Sequence, residues 1–166
     1  MRPHDVVILL KIASKGNRKW LMKDLAYELG ISASEISESI NRSMFAGLLS
    51  TDKKSIMKYA LLEFLEHGFR YVYPQQPGAI VRGLATAHSA LPLATEISSD
   101  DAYVWPYAHG KLRGQAIEPL HPKIPEAALK DVGFYELMAL VDALRVGKVR
   151  EQRIAIDMLK EKIQHA

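Results

Sequence analysis

The apolar positions follow a helical period through much of the chain. Val6, Val7 and Leu10, with Ile8 and Ala13, recur at three- and four-residue spacing and predict a helix from Pro3 to Ser14. Pro3 suits its first turn, where a missing N–H is no loss. Lys15-Gly16-Asn17-Arg18 interrupts the pattern as a turn, and a second helix is predicted from Lys19 to Leu29, with Leu25, Ala26 and Leu29 inward. Gly30 ends that helix, because glycine takes a left-handed backbone at no steric cost. Ser32 is the predicted N-cap of a third helix, and Glu35, three residues on, completes a capping box. Ala33, Ile36, Ile40, Met44 and Gly47 then share one side of the third helix, while Ser34, Glu35, Glu38, Asn41 and Arg42 share the other.

Beyond Leu49 the helical spacing resumes in SIMKYALLEFLEH (Ile56, Ala60, Leu61, Phe64, Leu65), and Gly68 closes it. From Phe69 the texture changes to Pro, Gly and aromatics, which marks an expected boundary between residues 1–68 and 69–166. An internal echo lies in this region. Tyr71-Val72-Tyr73-Pro74, Gly78 and Arg82-Gly83 recur as Tyr103-Val104-Trp105-Pro106, Gly110 and Arg113-Gly114. Each copy reads as a strand ending at Pro, a turn at Gly and a return segment. One account is a duplicated structural hairpin. The other is a paired ligand or anion site, with Arg82 and Arg113 as ligands and Tyr73 and Trp105 as stacking walls. Pro119, Pro122 and Pro125 stiffen the next connection. Helix is expected again from about Glu126, with a break at Gly133, then from Phe134 to Val146, and after Gly147 to about Gln164.

The stretch Leu25-Ala26, Leu29-Gly30-Ile31-Ser32, Ser34, Ile36-Ser37, Ile40, Arg42 and Ala46-Gly47-Leu48-Leu49 resembles the core of the winged helix-turn-helix transcriptional regulators, the MarR-like and related groups. The resemblance is strong over about 25 residues. It implies a mainly α or α+β fold: a tri-helical, winged DNA-binding module over 1–68, then a small β-containing region with C-terminal helices. It also implies a sequence-specific regulator that binds double-stranded DNA as a homodimer. Ser34, Glu35, Glu38, Asn41 and Arg42 would enter the major groove, with Asn41 suited to adenine and Arg42 to guanine or phosphate. Arg18, Lys19, Lys23, Lys53 and Lys54 would touch phosphates. The wing departs from the family pattern, since Ser50 to Lys54 leads straight into helical spacing. It is either a stub at Lys53-Lys54 or replaced by a helix.

Charge leans the same way. Residues 1–70 hold eleven basic against eight acidic side chains, and residues 71–166 hold eleven of each. Absence of Cys excludes a disulfide framework, a thiolate zinc site and a Cys nucleophile. The six His residues show neither i, i+4 pairing nor an HExxH run, and no serine stands in a GxSxG context, so neither a metal nor a catalytic role is expected. No cofactor is implied. No apolar run approaches a membrane span, and a cytoplasmic location is expected. Residues 69–166 are expected to sense a small molecule, dock a protein partner or supply the dimer contact. The competing function is a protein-interaction adaptor, or an antitoxin-like protein, using the helical module on a partner.

Overall fold

The core is built on α1 (Pro3–Ser14), which is buried without interruption from Asp5 to Ala13. A helix apolar on nearly every side has to be enclosed, so the one-sided burial expected from its period understates its role. The computed structural model describes residues 1–165; Ala166, at the end of the expected C-terminal region, lies outside them. Lys11 is carried into the interior by α1, and its ammonium meets Asp131 at 2.6 Å and Glu28 at 3.4 Å. Asp131 also caps α7 (Val132–Val146), its Oδ1 accepting the Phe134 N–H at 3.1 Å. That cap sets the helix start. Gly133 therefore sits within the first turn of α7, and the expected break falls at Lys130-Asp131 instead.

Around α1 the order is α2 (Met22–Leu29), α3 (Ala33–Phe45), α4 (Lys58–His67), α5 (Phe69–Val72), α6 (Ile124–Leu129), α7 and α8 (Val149–Gln164). Helix α2 is shorter than its period suggested, because Asp24 caps the Leu21 N–H at 3.0 Å and leaves residues 19–21 non-helical. Helix α3 rests on α1 through Ile36, Ser39, Ile40 and Ser43. Ala33 and Gly47, expected inward, are exposed, and Met44 is half-buried. The stripe is still i, i+3, i+4, i+7. Two of its members are serines, small enough for close helix approach but invisible to an apolar pattern.

The segment after α3 is a short hairpin that leads straight into a helix. Leu49 and Ile56 form a single antiparallel bridge, flanked by Ser50 N–H to Ser55 carbonyl (2.8 Å) and Met57 N–H to Leu48 carbonyl (3.0 Å). Helix α4 then begins at once. The result is a stub hairpin with Lys53 and Lys54 in its turn.

Strands β1 (Ile80–Ala85), β2 (Tyr103–Pro106) and β3 (Leu112–Ala116) close into a three-stranded barrel. β1 runs antiparallel to both others, and β2 pairs with β3 in parallel. Parallel neighbours normally need a long crossover. Here residues 107–111 suffice, because only the start of β2 meets the end of β3, with Tyr103 opposite Gln115 and Val104 opposite Ala116. So tight a closure brings backbones together. A Cβ on Gly83 would lie 1.9 Å from the Trp105 carbonyl oxygen, and one on Gly114 would lie 2.6 Å from that of Ala102. The glycines of the two echoed Arg-Gly pairs are thereby accounted for.

The first half of the echo is not structural. Tyr71 and Val72, expected in a strand, belong to α5, because Phe69 is drawn fully into the core and Tyr73 packs edge-on against it at 5.6 Å. The barrel is tied to α7 by Asp142. Its Oδ2 accepts Trp105 Nε1–H at 2.6 Å and the Thr86 hydroxyl at 2.7 Å, while Arg145 holds Oδ1 at 2.7 Å. One hydrophobic core runs from Val6 to Ile163 and includes Trp105, so the texture change at Gly68 is not a gap in packing. No helix among the described residues is long and apolar enough to cross a membrane.

Candidate functional site

The site favoured by the sequence centres on α3, and its seating is well determined. Gly30 turns the chain with φ +68, and the Ser32 hydroxyl accepts the Glu35 N–H at 3.3 Å. Only that half of the expected capping box forms; the exposed Glu35 carboxylate is left outside it. In the last turn of α3 the Arg42 side chain leans back toward α1 and is only partly exposed. Its Nε and Nη2 grip the buried Asp5 carboxylate at 3.0 and 2.8 Å. Burial pushes the Asp5 carboxyl up, but hydrogen bonds from Arg42 and from the Arg2 backbone outweigh it and hold the group below the ordinary carboxylate range. Arg42 is thus spent on holding α3 to α1. The base or phosphate contact expected of it would require breaking a two-pronged ion pair.

What α3 does present is Ser34, Glu35, Glu38 and Asn41, all exposed, followed at its end by Phe45, 93% exposed. Glu38 lies 3.9 Å from Arg42, and Ser34 shares a 3.3 Å contact with the Ser32 hydroxyl. The Asn41 amide has no hydrogen-bond partner among the described residues. Fixed in place and polar outward, this surface can offer donors and acceptors to a partner.

The expected phosphate contacts divide. Arg18, Lys19, Lys53 and Lys54 surround one open cavity of about 740 Å³, with Lys58 and Trp20 also lining it. Arg18 spends its guanidinium on the end of α1, donating to the Lys15 and Ser14 carbonyls at 3.0 and 3.2 Å. Lys53 occupies a left-handed position, φ 62. The turn that holds it is tied by Asp52, which accepts the Ser50 hydroxyl at 2.5 Å and the Lys54 N–H at 3.0 Å. Those bonds, the Ser50 one foremost, keep the Asp52 carboxyl below its usual range. Lys23 is exposed on α2 and does not line the cavity.

The second expected site is half assembled. Arg82 and Arg113 stand directly opposite each other on β1 and β3. Trp105 is fully buried and bonded to Asp142, so it is no stacking wall, and Tyr73 is half-buried on Phe69. Burial also raises the Tyr73 hydroxyl above its ordinary pKa.

Several residues near α3 carried no sequence signal. His4 lies 3.3 Å from Arg42 Nη2, and its ring meets that of His121 edge-on at 6.2 Å. Burial, with the neighbouring His4, lowers the His121 pKa. The Lys123 methylenes cover the α2–α3 turn, close enough that a Cβ on Gly30 would be 3.5 Å away. Both His121 and Lys123 come from the proline-rich connection, some ninety positions away in sequence, where no periodicity operates. No cluster of His, Asp or Glu among the described residues could hold a metal ion. Compared with family models, curated proteins and solved structures, the chain matches none.

Proposed function

We propose that the chain is a sequence-specific DNA-binding transcriptional regulator that lays α3 in the major groove of double-stranded DNA. One observation carries the reading: α3 is anchored on one side by Ile36, Ser39, Ile40 and the Arg42–Asp5 pair, and turns Ser34, Glu35, Glu38 and Asn41 outward. Asn41 is the reader, able to bond adenine with both ends of its amide. Lys19, Lys53 and Lys54 approach phosphates beside it, and Arg42 becomes a positioning residue. The two glutamates weaken binding to arbitrary sequence, which makes discrimination depend on the correct site. In a dimer two copies of α3 would address half-sites about 34–36 Å apart. Helix α7 is already enclosed within one chain, so the dimer contact lies elsewhere.

The test is selection from a pool of randomised duplexes, followed by binding measurements with the Asn41→Ala protein. A motif should be enriched, and Asn41→Ala should lower affinity for it by about 1–3 kcal/mol. Lys53→Gln with Lys54→Gln should weaken all duplexes alike and flatten the salt dependence. Failure to enrich any motif at low salt would sink the reading. It would favour a protein-docking adaptor, for which the 93% exposed Phe45 on α3 and the 88% exposed Tyr27 on α2 are the supporting features.

A further inference from the structure

Residues 67–95 and 102–117 contain no aspartate or glutamate. Between them they supply all three barrel strands. The barrel nevertheless carries cations, and they are brought together. Arg82 on β1 faces Arg113 on β3. Directly opposed side chains leave the same face of a sheet with Cβ atoms roughly 4.5–5.5 Å apart, a distance at which like charges repel. Both arginines are exposed, and neither side chain makes a hydrogen bond, ion pair or ring contact among the described residues. Lys111, also exposed, lies just before β3, two positions from Arg113 in sequence.

The other flank of Arg82 is aromatic. The Tyr107 N–H donates to the Arg82 carbonyl at 3.1 Å, which extends the β1–β2 register by one residue and sets Tyr107 beside Arg82. The Tyr107 ring meets exposed His109 edge-on at 5.6 Å. Barrel closure explains the glycine of each Arg-Gly pair but not the arginine. An exposed strand position accepts many side chains, and opposing two guanidinium groups without a carboxylate works against the fold.

We propose that this face binds a phosphate group joined to a planar ring, as in a nucleotide. Arg82 and Arg113 present parallel N–H donors to the phosphate oxygens, the geometry in which guanidinium groups exceed ammonium groups. Lys111 adds charge, and Tyr107 with His109 offers a surface on which a base stacks. The ligand is either a free nucleotide or one unit of a single strand, since both present the same chemistry. The site is independent of α3 and does not rest on the duplex-reading proposal.

The experiment uses the full chain at low salt with four probes: inorganic phosphate, adenosine monophosphate, a short labelled oligothymidylate and the matching duplex. Binding of the nucleotide or the oligothymidylate is expected. The Arg82→Gln/Arg113→Gln protein, altered only at exposed and unpartnered positions, should lose roughly tenfold or more in affinity and much of the salt dependence. Tyr107→Leu should weaken the nucleotide and the oligothymidylate while sparing inorganic phosphate. A strand preferred over the mononucleotide at equal nucleotide concentration assigns the site to single strands; equal affinity assigns it to the free nucleotide. Asn41→Ala should leave binding of the nucleotide and the oligothymidylate unchanged. The proposal is overturned if neither nucleotide nor strand binds, if the double arginine variant binds as the parent does, or if Asn41→Ala abolishes binding.

Discussion

Replacing Arg42 with alanine separates a structural role from a base-reading one. The parent gives the Asp5 carboxylate two charge-assisted hydrogen bonds, at 3.0 and 2.8 Å. Arg42→Ala leaves that carboxylate fully buried with only the Arg2 N–H, at 2.7 Å, as a close donor. Removing one partner of a buried pair costs about 3–5 kcal/mol. Because 28% of the Arg42 side chain remains in water, solvent screens part of the interaction, and about 2–4 kcal/mol is expected. In a chain of this size that is a fall of roughly 5–15 °C in Tm. Equilibrium urea unfolding gives the energy directly. The pH dependence has a definite sign. The folded-state pKa of Asp5 is depressed, so its stabilising contribution is present above the ordinary carboxylate pKa and is lost as pH falls through the folded value. The gap between parent and variant should therefore narrow from neutral pH into acid. Asp5→Leu with Arg42→Met should recover most of the loss, since a well-packed apolar pair avoids the desolvation cost. A stability change below ~0.5 kcal/mol for Arg42→Ala at neutral pH, far under the range for a buried pair, would refute the reasoning.

Two further outcomes follow from the barrel and its anchor. Gly83→Ala should cost about 3 kcal/mol or more, because its Cβ meets backbone that cannot move aside, whereas Gly47→Ala, with nothing within 4 Å but φ +79, should cost only about 1–2 kcal/mol. Similar losses at both positions in urea unfolding would count against barrel closure as the constraint. Trp105→Phe removes the 2.6 Å donor to buried Asp142 and should destabilise by about 1.5–3 kcal/mol, read by the same assay; a neutral result would show that Thr86 and Arg145 satisfy the carboxylate alone.

What the sequence disclosed was what lies within a few residues. The span of α1, the Gly30 turn, the Ser32 cap and the last helix follow from local period and local hydrogen bonding, and they stand as expected. Pairing over distance was hidden. Asp5 and Arg42 are 37 positions apart, and Lys11 and Asp131 are 120 apart. Nothing in a periodicity distinguishes an arginine that grips a buried carboxylate from one held out to a ligand. The echo misled in a different way. Matching residues at matching spacing suggested two like hairpins, yet Phe69 had a core to enter, and its copy became helical. Arg82 and Arg113 do meet across β1 and β3, but Trp105 is drawn away from them into the core, where it bonds Asp142 on α7.

The enclosure of α1 also bears on the order in which the chain is made. The run Val6 to Leu10 is translated before α7, one of the helices that cover it, by about 120 residues, as the Lys11–Asp131 separation measures. At typical elongation rates that interval is on the order of ten seconds. Throughout it the side of α1 that α7 covers lacks its native partner, and Lys11 has only the more distant of its two carboxylates, Glu28 at 3.4 Å. The α1–α3 unit is therefore left with one apolar face uncovered until α7 is made. A chaperone that shields this face of α1 in the interval would act on one contiguous apolar stretch, Val6 to Leu10.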